Sequence, residues 1–236
     1  MHHRGICSER GNVMRNTSKT FSIIWKLALI ACAIYGLLDG SGILAGSYKE
    51  GFPHMFTNVS NIFALGYFSC AAVWLTKNIN DDAAITLAPT AKYTATISLL
   101  VTMLIAHFML FDAMFQDGEL VFHLVVLHYV VPLMALLDWA LFDVKGKLPI
   151  WGPLAWLSLV AAYLAFTMIA VGVFGIYMGG GTTADISMYP YTFLDPGISG
   201  VGGVVGFCGA MLMAFIVLGY VLWAIDRLLG RMARKH

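Results

Sequence analysis

Several residues able to do acid–base or nucleophilic chemistry lie where a hydrophobic chain should not keep them. Asp39, His107, Asp112, His123, His128 and Asp138 fall inside or at the ends of long apolar runs, and Thr57, Asn58, Ser60 and Asn61 crowd the start of another. An ionisable group at membrane depth costs about 2.5–3.5 kcal/mol, so each needs a partner or a task. Thr57 and Asn61 are four apart and share a helix face. A threonine hydroxyl becomes a nucleophile when a base takes its proton, and histidine, which titrates near neutrality, is the usual base. Thr57 falls in the first turn of its helix, where unpaired N–H groups and the positive dipole end favour an anion. That suits the oxyanion of acyl transfer. His128 stands four residues before Pro132. Proline has no N–H, so the His128 carbonyl is expected to lose its helical partner. The helix should kink or open there, which a membrane tolerates at a cavity. The parts assemble as Thr57 nucleophile and His128 base, with Asn61, Asn58 or backbone N–H groups as oxyanion donors.

These residues need long apolar elements to position them. Of the 236 residues, 59% are hydrophobic and 11% charged, against roughly 25% charged in a soluble domain. A span needs about 20 mostly apolar residues. Six runs qualify: Ser22–Gly46, Met55–Thr76, Thr94–Phe115, Val121–Phe142, Pro153–Met178 and Ser199–Leu222. The fold class is therefore all-α, a polytopic membrane bundle of six helices. A cytoplasmic tail occupies residues 1–20, the membrane domain 21–225, and a basic cytoplasmic tail 226–236. The first apolar run is too long for a signal peptide, whose core has about 7–15 residues. Met14 is an alternative start.

Lys and Arg in short loops set orientation. Twelve of the 14 fall in the two tails and in the second and fourth loops; Lys49 alone is opposite. Lys26 should snorkel to the basic side. Both ends are thus expected inside. At about 1.5 Å per residue, Thr57 lies about 5 Å below the outer boundary, Asp39 and His128 about 10 Å, and His107 about 13 Å. Asp112 and His123 are shallower. The cluster occupies one band of the outer leaflet; Asp138 is near the inner end.

Each residue also has a plainer use. Thr57 can cap its helix. Asn58, Ser60 and Asn61 can be interhelical glue. Asp39 and His107 can pair with each other, Asp112 and His123 can reach the interface, and Asp138 can anchor the inner one. Asp195 before Pro196 reads as a helix N-cap. Gly36 and Gly40, Gly42 and Gly46, and Gly202 and Gly206 read as close helix contacts. Gly179 to Thr183 lacks the lysine of a phosphate loop. Tyr189 and Tyr191 are either interfacial aromatics or part of a re-entrant lid, in a loop longer than usual. The near-neutral charge points away from nucleic acid, and the four cysteines have no metal or disulfide spacing.

Phe56 to Asn61, His128 to Pro132, and Tyr189-Pro190-Tyr191-Thr192-Phe193-Leu194-Asp195, in that order on six spans, resemble the androgen-induced-gene family of membrane proteins, its bacterial members above all. The resemblance covers nearly the whole chain past residue 20. It implies a threonine hydrolase of fatty acid esters of hydroxy fatty acids, with Thr57 matching the nucleophile and His128 the essential histidine. It requires no metal or organic cofactor, and it places the protein in a bacterial plasma membrane. Phe56-Thr57-Asn58 departs from the Leu-Thr-Phe-type stretch of vertebrate members. Two other classes use the same residues: a haem-binding electron carrier with histidine axial ligands, and a transporter or sensor with a proton path through the acids and histidines. The partners expected are membrane and a lipid substrate.

Overall fold

The computed structural model describes residues 2–81, 86–116, 118–179 and 186–233. Asp117, Gly180 to Thr183, Arg234 and Lys235 lie outside them.

Among the described residues, six helices are long and apolar enough to cross a membrane. They are α1 (His2–Gly40, with the apolar stretch Ser18–Gly40), α2 (Phe56–Lys77), α3 (Pro89–Met109), α4 (Phe122–Phe142), α5 (Gly152–Gly172) and α6 (Pro196–Ala233). Pro89, Pro132, Pro153 and Pro196 each fall in a first turn of regular helix, where a missing N–H costs nothing. Two-residue strands, β1 (Phe115–Gln116) and β2 (Glu119–Leu120), pair antiparallel between α3 and α4.

Four boundaries differ from the sequence expectation. The first span ends at Gly40, because Gly42 and Gly46 take positive φ around a 3-10 turn. The third runs Pro89–Met109, about five residues earlier than expected. Asp112 therefore leaves the helix and sits exposed in a 3-10 turn. The fifth stops at Gly172 rather than Met178, and Gly175 turns the chain at φ 63°. The sixth continues to Ala233, so residues 226–233 are helix, with a non-helical Gly200 near its start.

Helices α1 to α4 pack around a shared core of Leu29, Ala33, Ala64, Phe68, Leu99 and Val131. Helices α5 and α6 close against α3 and α4 through a second core, where Tyr93 stacks on Trp156 and meets Trp139 edge-on. A third cluster of Ala170, Val171, Met178, Tyr189 and Leu194 folds the α5–α6 loop onto the bundle. Ile24, Phe166, Val201 and Val205 remain exposed on the outer faces, as lipid contact requires. Gly36 marks a close approach: a Cβ there would lie 2.7 Å from the Leu127 side chain. Gly202 and Gly206 meet nothing within 4 Å, so they serve no helix contact within this chain.

One end of the bundle is held by charge. Asp138 is 0% exposed and pairs with Lys26 at 2.7 Å and Lys92 at 2.6 Å. Lys92 also meets Asp143 at 2.5 Å, and Asp143 accepts from Thr86. The expectations for Lys26 and Asp138 are corrected here. Lys26 turns inward instead of snorkelling, and Asp138 ties α1 to α3 as the carboxylate both lysines need. Desolvating one charge is tolerable only when opposite charges surround it.

Removing Asp138 leaves two buried ammonium groups without this partner. Asp138→Ala is expected to cost about 3–5 kcal/mol, the range for breaking a buried pair. Thermal unfolding in detergent should show a markedly lower Tm, whereas Lys49→Ala in the opposite loop should leave Tm nearly unchanged.

Candidate active site

The opposite end of α2 begins at an unusual cap. A 3-10 turn, Phe52–His54, leads into extended Met55, which offers no side-chain cap. The first N–H groups of α2 would be orphans. Tyr191, reaching over from the α5–α6 loop, accepts the Phe56 N–H at 3.1 Å. The Thr57 N–H and hydroxyl also reach the Tyr191 oxygen. Burial pushes the Tyr191 phenol pKa up, and the backbone N–H groups of Phe56 and Thr57 oppose that shift; the phenol keeps its proton. Thr57 is thus not the cap of α2.

Helix α4 opens where Pro132 predicts, but by a different route. Residues Val126–Val130 form a π turn, with the Val131 N–H donating to the Val126 carbonyl. The ordinary partner of the Leu127 carbonyl is thereby taken, and the next residue available is Pro132, which has no N–H. The Leu127 carbonyl is left to satisfy. Asn61 supplies the donor: its amide nitrogen donates to Leu127 O at 3.2 Å and to Thr57 O at 2.8 Å. Asn61 is 0% exposed, and both its N–H bonds are used by carbonyls.

The π turn brings His128 to Thr57. The Thr57 hydroxyl stands 3.1 Å from His128 Nε2, although 71 residues separate them. His128 Nδ1 lies 2.8 Å from the Leu124 carbonyl. A carbonyl only accepts, so Nδ1 carries the proton and Nε2 presents a lone pair to the threonine hydroxyl. This is the geometry of a nucleophile and its base. A backbone carbonyl, not a carboxylate, orients the imidazole.

The other residues singled out in the sequence divide. Asp39 pairs with His123 Nδ1 at 3.1 Å and takes a weaker bond from Tyr35; it does not pair with His107. His107 is exposed and meets Tyr129 OH at 3.1 Å, outside the site. Asp112 is also outside it. His123 lines the same cavity as His128. Asn58 uses its amide on the Phe52 carbonyl at 2.6 Å, locking the turn before α2. Both Asn61 N–H bonds are taken, so Asn61 has no free amide donor for an oxyanion and that expectation is corrected, whereas Asn58 spends one of its two on Phe52. Tyr189 is buried in the cluster under the loop, whereas Tyr191 is at the site. Asp195 does cap α6, accepting the Gly197 N–H at 2.8 Å. It also holds Ser187 at 2.5 Å, which stitches the loop carrying Tyr191.

Two cavities meet at Thr57. A vestibule of about 860 Å³ reaches Lys49, Glu50, Asn58 and His123. An apolar chamber of about 380 Å³ runs between α3, α5 and α6 past Val101, Ile105, Leu164, Phe207 and Met211. Among the described residues, Thr57, Leu110, His128 and Tyr191 line both. The apolar chamber could not be foreseen, since its walls are ordinary hydrophobic helix positions. Among the described residues no group of three His, Cys, Asp or Glu side chains is arranged to hold a metal ion. Comparison with protein-family models, curated proteins and solved structures finds no match to this chain.

Asn61→Leu removes the donor to two carbonyls, each of which carries about 1–3 kcal/mol of penalty if left buried and unpaired. The variant should melt lower in detergent and should lose the Thr57–His128 contact. His107→Gln, at an exposed position, should do neither. Imidazole chemical shifts of His128 by NMR would report the contact directly.

Proposed function

We propose that this protein is a membrane-embedded hydrolase of lipid esters, with Thr57 as nucleophile and His128 as general base. The observation that carries the reading is the 3.1 Å contact between Thr57 Oγ1 and His128 Nε2 at the junction of two cavities, one reaching Lys49, Glu50 and His123 and the other almost wholly apolar. An amphiphilic ester fits that division: its acyl chain enters the chamber among α3, α5 and α6, and its polar part stays in the vestibule. Metal ions and organic cofactors have no part in this scheme.

The steps follow from the two groups. His128 Nε2 takes the Thr57 proton as Oγ1 attacks the ester carbonyl carbon. The tetrahedral intermediate collapses, the C–O bond to the alcohol breaks, and His128 returns its proton to the leaving alkoxide. Water then enters from the vestibule and gives a proton to His128, and its oxygen attacks the acyl-threonine. Collapse returns the proton to Thr57 and releases the fatty acid. The imidazolium formed midway has a carbonyl dipole on Nδ1 in place of a carboxylate, which favours modest turnover.

The Lys and Arg bias supports an N-in, C-in orientation, with the Thr57 end in the outer leaflet half of a plasma membrane. The resemblance of Phe56 to Asn61, His128 to Pro132 and Tyr189 to Asp195 to the androgen-induced-gene family supports the same reaction, and fatty acid esters of hydroxy fatty acids as substrates.

Purified protein in detergent should hydrolyse a long-chain ester of a hydroxy fatty acid. Thr57→Ala and His128→Ala should each lose more than about 10³-fold in kcat while keeping the wild-type Tm, since nucleophile and base act as a unit. An inert wild type across several lipid esters, or an active Thr57→Ala, would sink the reading. The transporter alternative predicts the reverse pattern, with Asp39 and His107 sensitive and Thr57 indifferent. A protonated imidazole cannot accept the threonine proton. kcat/KM should therefore fall about tenfold per pH unit on the acid side of a single ionisation.

A further inference from the structure

We propose that the Tyr191 hydroxyl is the oxyanion donor of this site. The inference rests on the threonine-hydrolase reading and adds a catalytic residue to it.

Acyl transfer needs a donor aimed where negative charge develops. Asn61, first suited to that task, is committed elsewhere: its two N–H bonds hold Thr57 O and Leu127 O, while Asn58 gives one of its two to Phe52 O. The free N–H groups of Phe56 and Thr57 at the start of α2 are directed at the Tyr191 oxygen. The phenol is better placed than Asn58, because it lines both cavities that meet at Thr57 and Asn58 lines one. Its oxygen accepts the Phe56 N–H, so its own proton is free to be donated.

Proton bookkeeping gives the direction. His128 Nδ1 donates to Leu124 O, so Nε2 can only accept, and the Thr57 proton points at it. Between Thr57 and Tyr191 the donor is then the tyrosine. When Oγ1 bonds to the carbonyl carbon, the carbonyl oxygen becomes the anion, one bond angle away from Oγ1. A small rotation of the Tyr191 O–H transfers its hydrogen bond to that oxygen. The two N–H groups at the positive end of α2 draw electron density from the phenol oxygen and strengthen the O–H as a donor, as chained hydrogen bonds do. The helix start thus acts on the oxyanion through the phenol. Position supports the role: Tyr191 is the third polar side chain, after Thr57 and His128, that lines both cavities. Its ring is fixed by stacking on Phe193 at 5.0 Å and 8°.

The test uses a long-chain alkyl fluorophosphonate on the full-length protein in detergent. Its P=O occupies the oxyanion position as fluoride leaves and Thr57 is phosphonylated. The labelled residue is read by peptide mass spectrometry and the rate by time course. Wild type should label at Thr57, and Thr57→Ala should not. Tyr191→Phe keeps the stacked ring; its labelling rate should fall about 10²–10³-fold, the cost of one oxyanion donor, with the half-saturating probe concentration changed only slightly. Trifluorotyrosine placed at 191 keeps ring and hydroxyl but makes the phenol a stronger acid. Its labelling rate should gain an alkaline limb, falling as the phenol loses its proton, where wild type stays flat. A Tyr191→Phe rate equal to wild type, or superimposable pH profiles for tyrosine and trifluorotyrosine, overturns the proposal and leaves Thr57 as nucleophile. Should Tyr191→Phe unfold, the trifluorotyrosine profile decides alone. A wild type that never labels at Thr57 overturns the hydrolase reading, and this proposal with it.

Discussion

Everything at the site depends on one buried amide. Asn61 sits a turn below Thr57 on α2 and holds two carbonyls, one on its own helix and one on α4. The Leu127 carbonyl is free because a proline follows a π turn, and a free carbonyl in an apolar bundle is costly. Asn61 removes that cost and, by doing so, fixes the broken turn of α4 against the first turns of α2. The register of the contact sets where His128 points. An α-helical turn here would return the Leu127 carbonyl toward its own helix and rotate His128 away from Thr57. Gly36 contributes from the other side, because only a residue without a Cβ lets α1 lie against Leu127.

The two ends of the bundle solve the problem of buried polarity differently. At one end, Asp138, Asp143, Lys26 and Lys92 neutralise one another and do nothing further that the geometry requires. At the other, the polar groups are mostly uncharged, joined through backbone carbonyls and N–H groups, and open to cavities. His128 has a carbonyl rather than a carboxylate behind it, and Asp39, one carboxylate at this end, belongs to His123. A neutral imidazole is the form a base must have, and among the described residues no carboxylate pairs with His128 to hold a proton on it. The ionic end gives rigidity; the neutral end keeps its one mobile proton between Thr57 and His128.

Much of this was legible in the sequence, and the losses have physical causes. Helix length and apolarity locate six spans, and proline in α4 locates the break. Depth counting brings Thr57 and His128 to one level, where they do meet. Depth says nothing about which way a side chain faces, so Asp39 was given His107 as a candidate partner when it in fact meets His123. The azimuth after a π turn differs from that of a regular helix by most of a residue, and no periodicity rule anticipates it. Lys26 reads as a residue that snorkels and Lys92 as a cation of the second loop, because a single-residue rule cannot see that Asp138 receives both. Asp112 was assigned to a helix that Pro89 starts earlier than its hydropathy suggests. The sequence offers Tyr191 as an interfacial aromatic or as part of a lid; that its hydroxyl caps α2 follows from the loop folding back, which the Asp195–Ser187 stitch enforces.

The central claim is that the contact between Thr57 and His128 is a nucleophile with its base. Acid-quenched samples of the protein, taken in the first turnover of a p-nitrophenyl ester of a long-chain fatty acid, would test it most directly by intact-mass and peptide mass spectrometry. The account predicts a mass increase of one acyl group per chain, located by fragmentation on Thr57 and lost on longer incubation. Product release with no acyl adduct on the chain, or an adduct on a residue other than Thr57, would contradict it.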